Sequence, residues 1–503
     1  AAMRIEEILF KESVVANNII IADEYKNWTR KEIKERVIKF SKILHQNAVR
    51  RFDKVVMISK NSSDFIVMLF AIIQVGATAV PLDPQMSSEA LDSLIMEVGA
   101  SNVCISRKCK RKFFGKLFSN YKIILEDTEI LMDSVSSECS GCKDNELALI
   151  LFSSGTTSGR PKGIQLTHNA LCYNMFAILD YMKPDAEDIF FITKTMVHVS
   201  TLVGEVFVAL YADSRIIAYN TLVTPNTMLR KISQSNATIV AVNPTILKLM
   251  VNTSSSDLDL SNVRLLYTSG AVISKDILQK AEERFAWAEV LNVYGLTEAG
   301  PRVCAQIAED TSRKYEAVGR PINGIEIKII SDGTYNIADK DIGIIYVKSN
   351  SLMSGYYQNK EFTKQKLVGE WLNTGDLGYI EENGELVVLG RKDDIIIRNA
   401  NNIDPIVVEN VIKKIDGVLD CVVFGIPHDL YVNKIVAVIT CSEELNYKLQ
   451  DIIPKCSVSL LPHEYPQELY VWKEIPRTPN GKISRKLASN QYMEIIQNNQ
   501  LKE

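Results

Sequence analysis

Residues 147–163 read Leu147-Ala-Leu-Ile-Leu-Phe152, then Ser153-Ser-Gly-Thr-Thr-Ser-Gly-Arg-Pro-Lys-Gly163. The first six residues are an uninterrupted apolar run, as expected of a strand buried on both faces. The next eleven are rich in Gly, Ser and Thr. Such a loop exposes backbone N–H groups and hydroxyl donors, and Lys162 adds a positive charge. These are the means by which a loop holds a polyphosphate. Ser153, Ser154, Gly155, Thr156, Thr157 and Lys162 are therefore candidate phosphate ligands. The Gly-x4-Gly-Lys-Ser/Thr spacing of the P-loop is not met. A helix from about Asn169 is expected to follow the loop.

Outward from this stretch the chain alternates strand-like and helical segments. Thr29-Arg-Lys-Glu32 has the form of a capping box that starts a helix. Val55–Ile58 and Ala77–Leu82 read as buried strands on either side of an apolar helix, Asp64–Gln74. The same rhythm recurs at 189–193, 215–218 and 238–242, and it predicts parallel sheets covered by helices. From about residue 316 short alternating strands appear, with a hairpin turn at Glu382-Asn383-Gly384. After Gly390 a helix near Pro405 and strands at 421–424 and 435–439 predict a separate small domain. The fold class is thus α/β: two doubly wound subdomains plus a small β-barrel over 1–392, and a small mobile α+β domain over 393–503.

Composition narrows the function. Lys and Arg number 57 against 61 Asp and Glu, a net charge of −4, which gives no global attraction to nucleic acid or anionic lipid. No run of about 18 apolar residues predicts a membrane span. Met3-Arg-Ile-Glu-Glu7 is mixed and charged and predicts no secretory signal. Nine dispersed cysteines read as reduced thiols in a cytoplasmic protein, including the pair in Cys139-Ser-Gly-Cys142.

The 153–163 loop resembles the signature of the adenylate-forming superfamily of acyl-CoA and aryl-CoA ligases, peptide-synthetase adenylation domains and luciferases. Further matches follow in the same order: Ala79-Val-Pro-Leu-Asp-Pro84, Asn292-Val-Tyr-Gly-Leu-Thr-Glu298, Trp371-Leu-Asn-Thr-Gly-Asp376, Gly390-Arg-Lys-Asp-Asp394 and Pro476-Arg-Thr-Pro-Asn-Gly-Lys-Ile-Ser-Arg-Lys486. The resemblance implies that ATP and a carboxylic acid react to an acyl-adenylate and pyrophosphate, and that the acyl group then passes to a thiol with release of AMP.

The same resemblance implies roles. Thr297 would donate to a phosphate and Glu298 would hold Mg²⁺ through a hard carboxylate oxygen. Asn292 would pair with the adenine edge and Tyr294 would stack on it. Asp376 would accept from the ribose hydroxyls, and Arg391 would contact the ribose or phosphates. Lys482 would reach the substrate carboxylate and the α-phosphate, and Asp393 would be the hinge between two domain orientations. His198, with Val199, Leu202, Val203 and Gly204, would form the acid pocket. Ser269, Gly270, Ala271 and Gly295 would close its opposite side next to the nucleotide. Arg302 would meet a second polar group on the acid.

Amino-acid-activating relatives place an Asp in this segment to pair with the substrate ammonium. No Asp or Glu lies between Lys194 and Gly204, so an aryl or fatty acid is expected instead. The acceptor is CoA or a carrier-protein phosphopantetheine. Arg398-Asn-Ala-Asn-Asn-Ile-Asp-Pro405 resembles the loop lining the pantetheine tunnel, but Asn399-Ala400 replaces its glycine pair. That departure keeps open a stand-alone protein that loads a dedicated acyl carrier protein and does not use free CoA. Luciferase-like oxygenation and an inactive nucleotide-binding scaffold are the remaining alternatives. The presence of Thr297, Glu298, Asp376 and Lys482 argues against the scaffold.

Overall fold

The computed structural model describes residues 3–12, 17–109, 121–130, 141–153, 161–219, 224–253, 258–269, 273, 275–331, 333, 336–337, 340–398, 401–428, 432–442, 445–460, 462–477 and 483–500. It is an α/β protein with a large N-terminal domain and a smaller C-terminal one. Two mostly parallel sheets dominate the first. The seven-stranded sheet runs Gly355–Tyr356, Lys162–Thr167, Leu147–Ser153, Thr78–Leu82, Lys54–Ile58, Asn102–Ile105, Lys122–Ile124. The nine-stranded sheet runs Arg320–Pro321, Arg302–Ala305, Glu289–Gly295, Leu265–Thr268, Ile239–Val242, Ile189–Ile192, Arg215–Ala218, Ile19–Asp23, Asn27–Thr29.

One continuous apolar cluster joins the inner faces of both sheets. Between them lies the helix Ser63–Gln74, in which every residue is buried. A helix apolar on all sides is stable only in such a place. The outer face of each sheet carries its own cluster under further helices, Ser88–Val98 on one and Pro225–Gln234, Pro244–Val251 and Lys275–Arg284 on the other. The helix Arg30–Gln46 begins with the expected reciprocal cap between Thr29 and Glu32.

Two expectations change. The glycine-rich loop does not lead into a helix. It joins Leu147–Ser153 to an antiparallel strand, Lys162–Thr167, and the helix His168–Met182 follows only after that. Lys162-Gly-Ile-Gln-Leu-Thr167 alternates in burial along most of its length, as a strand with one covered face does. The cysteines also differ. Seven are free among the described residues, but Cys142 is disulfide-bonded. Cys139 lies outside the described residues.

The late strands form a five-stranded antiparallel sheet, with Glu326–Ile330, Gly343–Lys348, Trp371–Ile380 and Leu367–Val368 in order and Leu386–Arg391 also paired to Trp371–Ile380. Among the described residues it is an open sheet, not the closed barrel expected from the sequence. The hairpin falls at the expected Asn383-Gly384, where Gly384 has φ of 84°. The C-terminal domain is a three-stranded sheet, Val418–His428, Val432–Cys441 and Glu468–Val471. Its two faces are covered by Pro405–Ile412 with Leu449–Cys456 and by Arg485–Gln500. Among the described residues no helix is long and apolar enough to cross a membrane.

Candidate active site

The site is built around one bent hairpin. Glu289–Gly295 and Arg302–Ala305 are paired antiparallel, and Thr297–Ala299 forms a 3₁₀ turn between them. Gly295 lies opposite Arg302, and a Cβ on it would stand 2.3 Å from the Pro301 carbonyl oxygen. Only glycine admits so close an approach of backbone to backbone. The hairpin carries Asn292, Tyr294, Thr297, Glu298 and Arg302 within eleven residues of chain.

Tyr294 is 9% exposed and donates its hydroxyl to Asp376 Oδ2 at 2.5 Å. Arg391 Nε lies 3.0 Å from Asp376 Oδ1, and its Nη1 donates to the Thr374 carbonyl. Burial pushes the Asp376 carboxyl above its ordinary range, and Arg391 and the Tyr294 hydroxyl only partly offset this. Asn292 is occupied by the fold: its Nδ2 donates to the carbonyls of Tyr315 and Ala317.

Glu298 accepts the Tyr356 hydroxyl on Oε1 at 2.9 Å. Its Oε2 has no hydrogen bond among the described residues, and Glu298 lines a cavity. Tyr356 arrives on the edge strand Gly355–Tyr356, paired with Lys162–Thr167. Lys162 Nζ sits over the Phe362 ring, 3.3 Å from its centroid. Burial lowers the Lys162 pKa, Lys366 and Lys486 lower it further, and Glu298 pulls the other way. Lys366 is lowered in turn by burial and by Arg391.

Several of these groups line a cavity of about 1240 Å³ that both domains enclose; Asn292, Tyr294 and Asp376 lie behind its wall. Lys162, Thr297, Glu298, Ser269 and Arg391 face it from the large domain, and Arg485 and Lys486 from the small one. Asp393 lines it from the 3₁₀ turn Lys392–Asp394. Arg485 binds that turn to the small domain: Nη1 is 3.0 Å from Asp394 and Nη2 is 2.7 Å from Glu409.

At the acid end, His198 is exposed to the cavity beside Val199 and Lys194. Leu202 and Val203 pack fully into the core, within the π-helical stretch Leu202–Phe207. Gly204 leaves room for Arg302, whose Nη2 would be 3.0 Å from a Cβ there. Ser153 ends its strand. Ser154, Gly155, Thr156, Thr157, Gly270, Ala271, Asn399, Ala400 and Lys482 lie outside the described residues.

Sequence reasoning missed Tyr356, Lys366 and Lys194. Tyr356 reaches the cavity through an edge strand paired with the distant Lys162–Thr167, and Lys366 through the end of the helix Lys360–Lys366, placements that no local pattern announces. It also stopped one residue short of Glu205, which is 3% exposed and lies 3.4 Å from Lys194 Nζ.

The cavity gathers cationic side chains from both domains, and the α/β fold of the chain is that of solved adenylate-forming enzymes. The sequence matches the AMP-binding enzyme family over residues 11–357 and the AMP-binding enzyme C-terminal domain over 407–482. The chain belongs to the AMP-binding enzyme family. Similar proteins include the 2-succinylbenzoate–CoA ligase of Bacillus cereus, 27% identical, with 90% of this chain and 92% of that protein covered. The oxalate–CoA ligase of Arabidopsis thaliana is 25% identical, with 90% and 91% covered. Among solved structures, an anthranilate CoA ligase in complex with anthranoyl-AMP superposes with a TM-score of 0.85 at 20% identity, covering 98% of each chain. The o-succinylbenzoate CoA synthetase of Bacillus subtilis, with its acyl-adenylate, has a TM-score of 0.85 at 21% identity, covering 96% of this chain and 97% of that one.

Proposed function

We propose that this chain is an AMP-forming acid–thiol ligase that adenylates a small carboxylic acid with ATP and transfers the acyl group to a thiol, CoA being the first candidate. The observation that carries the reading is the convergence of Lys162, Lys366, Arg391 and Lys486 on one cavity with Glu298 at its wall. A cavity that gathers this many cations suits a polyanion, and burial together with their mutual repulsion lowers the pKa of Lys162 and Lys366. The named CoA ligases among the relatives support the same reading.

Adenylation is attack of a carboxylate oxygen on the α-phosphorus with pyrophosphate leaving. Most of the catalysis is positioning and neutralisation of phosphoryl charge. Asp376, held by Tyr294 and Arg391, takes the ribose hydroxyls. Thr297 and Lys162 take phosphate oxygens. Glu298 fits a hard divalent cation, since it lines the cavity and its Oε2 makes no hydrogen bond to any described residue. Mg²⁺ held there would neutralise phosphate charge. Lys482 is assigned to the acid carboxylate and the α-phosphate, and Asp393 to the hinge that turns residues 393–503 against 1–392 between the half-reactions.

The test is pyrophosphate release with ATP, Mg²⁺ and a panel of acids, with and without CoA. Acid-dependent release and an acyl-CoA product support the reading. Adenylate that forms but passes only to carrier-protein pantetheine moves the acceptor to the alternative and points to Asn399-Ala400. No release with any acid, while ATP still binds, returns the scaffold reading. Lys482→Ala should strongly impair adenylation while the protein stays folded.

A further inference from the structure

Arg302 is 5% exposed and lines the cavity at the acid end. Three arginines are buried among the described residues, and two have carboxylates at hand. Arg4 Nε is 2.6 Å from Glu6, and Arg30 Nη2 is 2.9 Å from Asp213. Arg302 makes no ion pair with any described residue. Its Nη1 donates to the Tyr181 hydroxyl, while Nε and Nη2 make no hydrogen bond to any described residue. Those two nitrogens form one flat edge of the guanidinium, the edge that binds a carboxylate through two parallel hydrogen bonds. A Cβ on Gly204 would stand 3.0 Å from Nη2, so the guanidinium can lie here only because residue 204 has no side chain.

The neighbouring charges do not compensate it. Lys194, with its side chain 10% exposed, adds a second cation, and Glu205 is the single carboxylate of the group, 3.4 Å from Lys194. Burial pushes the Glu205 carboxyl up, against the pull of Lys194 and Arg302. The acid end therefore holds at least one positive charge in excess. A buried cation without a counter-charge costs several kcal/mol, which a bound anion would offset. An unsubstituted aryl or fatty acid would place apolar surface against that edge and leave it unpaired.

We propose that the acid activated here carries a second carboxylate, which docks side-on to Nε and Nη2 of Arg302 while the first is adenylated. This rests on the ligase reading above and names the substrate class of the same site. Arg302 is then the residue that selects dicarboxylic acids over their neutral counterparts, with Lys194 reinforcing the field.

The experiment compares matched pairs in ATP-dependent pyrophosphate release: a series of aliphatic and aromatic diacids, each against its half-amide and its monoacid. The wild type should prefer the diacid roughly 10–100-fold in kcat/KM, the worth of a charge-assisted hydrogen-bond pair. Arg302→Gln should bring each pair to within a few-fold, leave ATP affinity unchanged, and raise KM for the diacid more than it lowers kcat. Arg302→Lys should restore part of the preference. Equal or better rates with half-amides or monoacids in the wild type would overturn the proposal while keeping the ligase. A preference that survives Arg302→Gln would overturn the assignment to this residue. Should Arg302→Gln fail to fold, Gly204→Ala, which crowds Nη2, must erode the preference in its place, and an unchanged preference there counts against it. ATP binding without pyrophosphate release from any acid would overturn both readings together.

Discussion

Tyr294 donates its hydroxyl to Asp376 Oδ2 at 2.5 Å, joining two strands 82 residues apart in the chain. The bond fixes a carboxylate that burial would otherwise disfavour as an anion. Tyr294→Phe keeps the ring and removes that hold, so AMP affinity should fall about 3–10-fold by calorimetry. Asp376→Asn should cost more, roughly 10–100-fold. Because the Asp376 pKa is raised, its proton returns at a higher pH than for an ordinary Asp. AMP affinity should therefore weaken on acidification earlier than a solvated carboxylate would allow, and Asp376→Asn should abolish that slope.

Glu298→Gln removes a charge but still accepts the Tyr356 hydroxyl, now at 2.9 Å from Oε1. The fold should be kept and the thermal midpoint unchanged. Acid-dependent pyrophosphate release should drop by about 10²-fold, and its dependence on Mg²⁺ concentration should flatten. A full response to Mg²⁺ in this variant would remove Glu298 from the metal.

Arg485 is shared by Asp394 at 3.0 Å, Glu409 at 2.7 Å and the Val423 carbonyl at 2.7 Å. Arg485→Leu leaves Glu409, 7% exposed, without its counter-charge. The C-terminal domain should lose about 3 kcal/mol. Limited proteolysis should then cut within residues 393–503 before it cuts the large domain.

Asp404 caps the helix Pro405–Ile412 by accepting from Ile406 N at 2.8 Å. Burial pushes its pKa up to about 6, outweighing that bond and Arg485, with Glu409 and Asp394 adding to the rise. The folded state thus holds a proton that the unfolded chain, titrating near 3.8, has given up. The stability this contributes is complete below pH 3.8 and is lost as pH rises through about 6. Asp404→Asn keeps the acceptor without the charge. It should match the wild type at pH 4 and exceed it at pH 8 by about 1–2 kcal/mol, allowing for solvent screening. Denaturant melts at the two pH values check the difference.

The motifs were legible because each is contiguous, and its chemistry is carried by residues a few positions apart. Asn292 to Glu298 lie on one strand and the turn after it, so composition and order in that stretch sufficed to name them. The capping box at Thr29 and the hairpin at Asn383-Gly384 were legible for the same reason, since backbone geometry there is decided by side chains within a turn. The strand Lys162–Thr167 was missed although its alternation was in the sequence, because a nearby helix signal was read as following the loop directly.

By itself the sequence determined the α/β class, the two-domain order and the motifs whose residues are proposed to face ATP, since local pattern encodes these. Tertiary structure alone decided which charges are paired. Tyr356 reaches Glu298 only because its edge strand pairs with a strand about 190 residues earlier. Lys194 lies 3.4 Å from a glutamate on the following helix, and Arg302 packs against Gly204 with no ion pair to any described residue. Pairing depends on distances of a few ångströms between chain segments far apart in sequence, and in a buried site of low dielectric those distances set the charge that a ligand must bring.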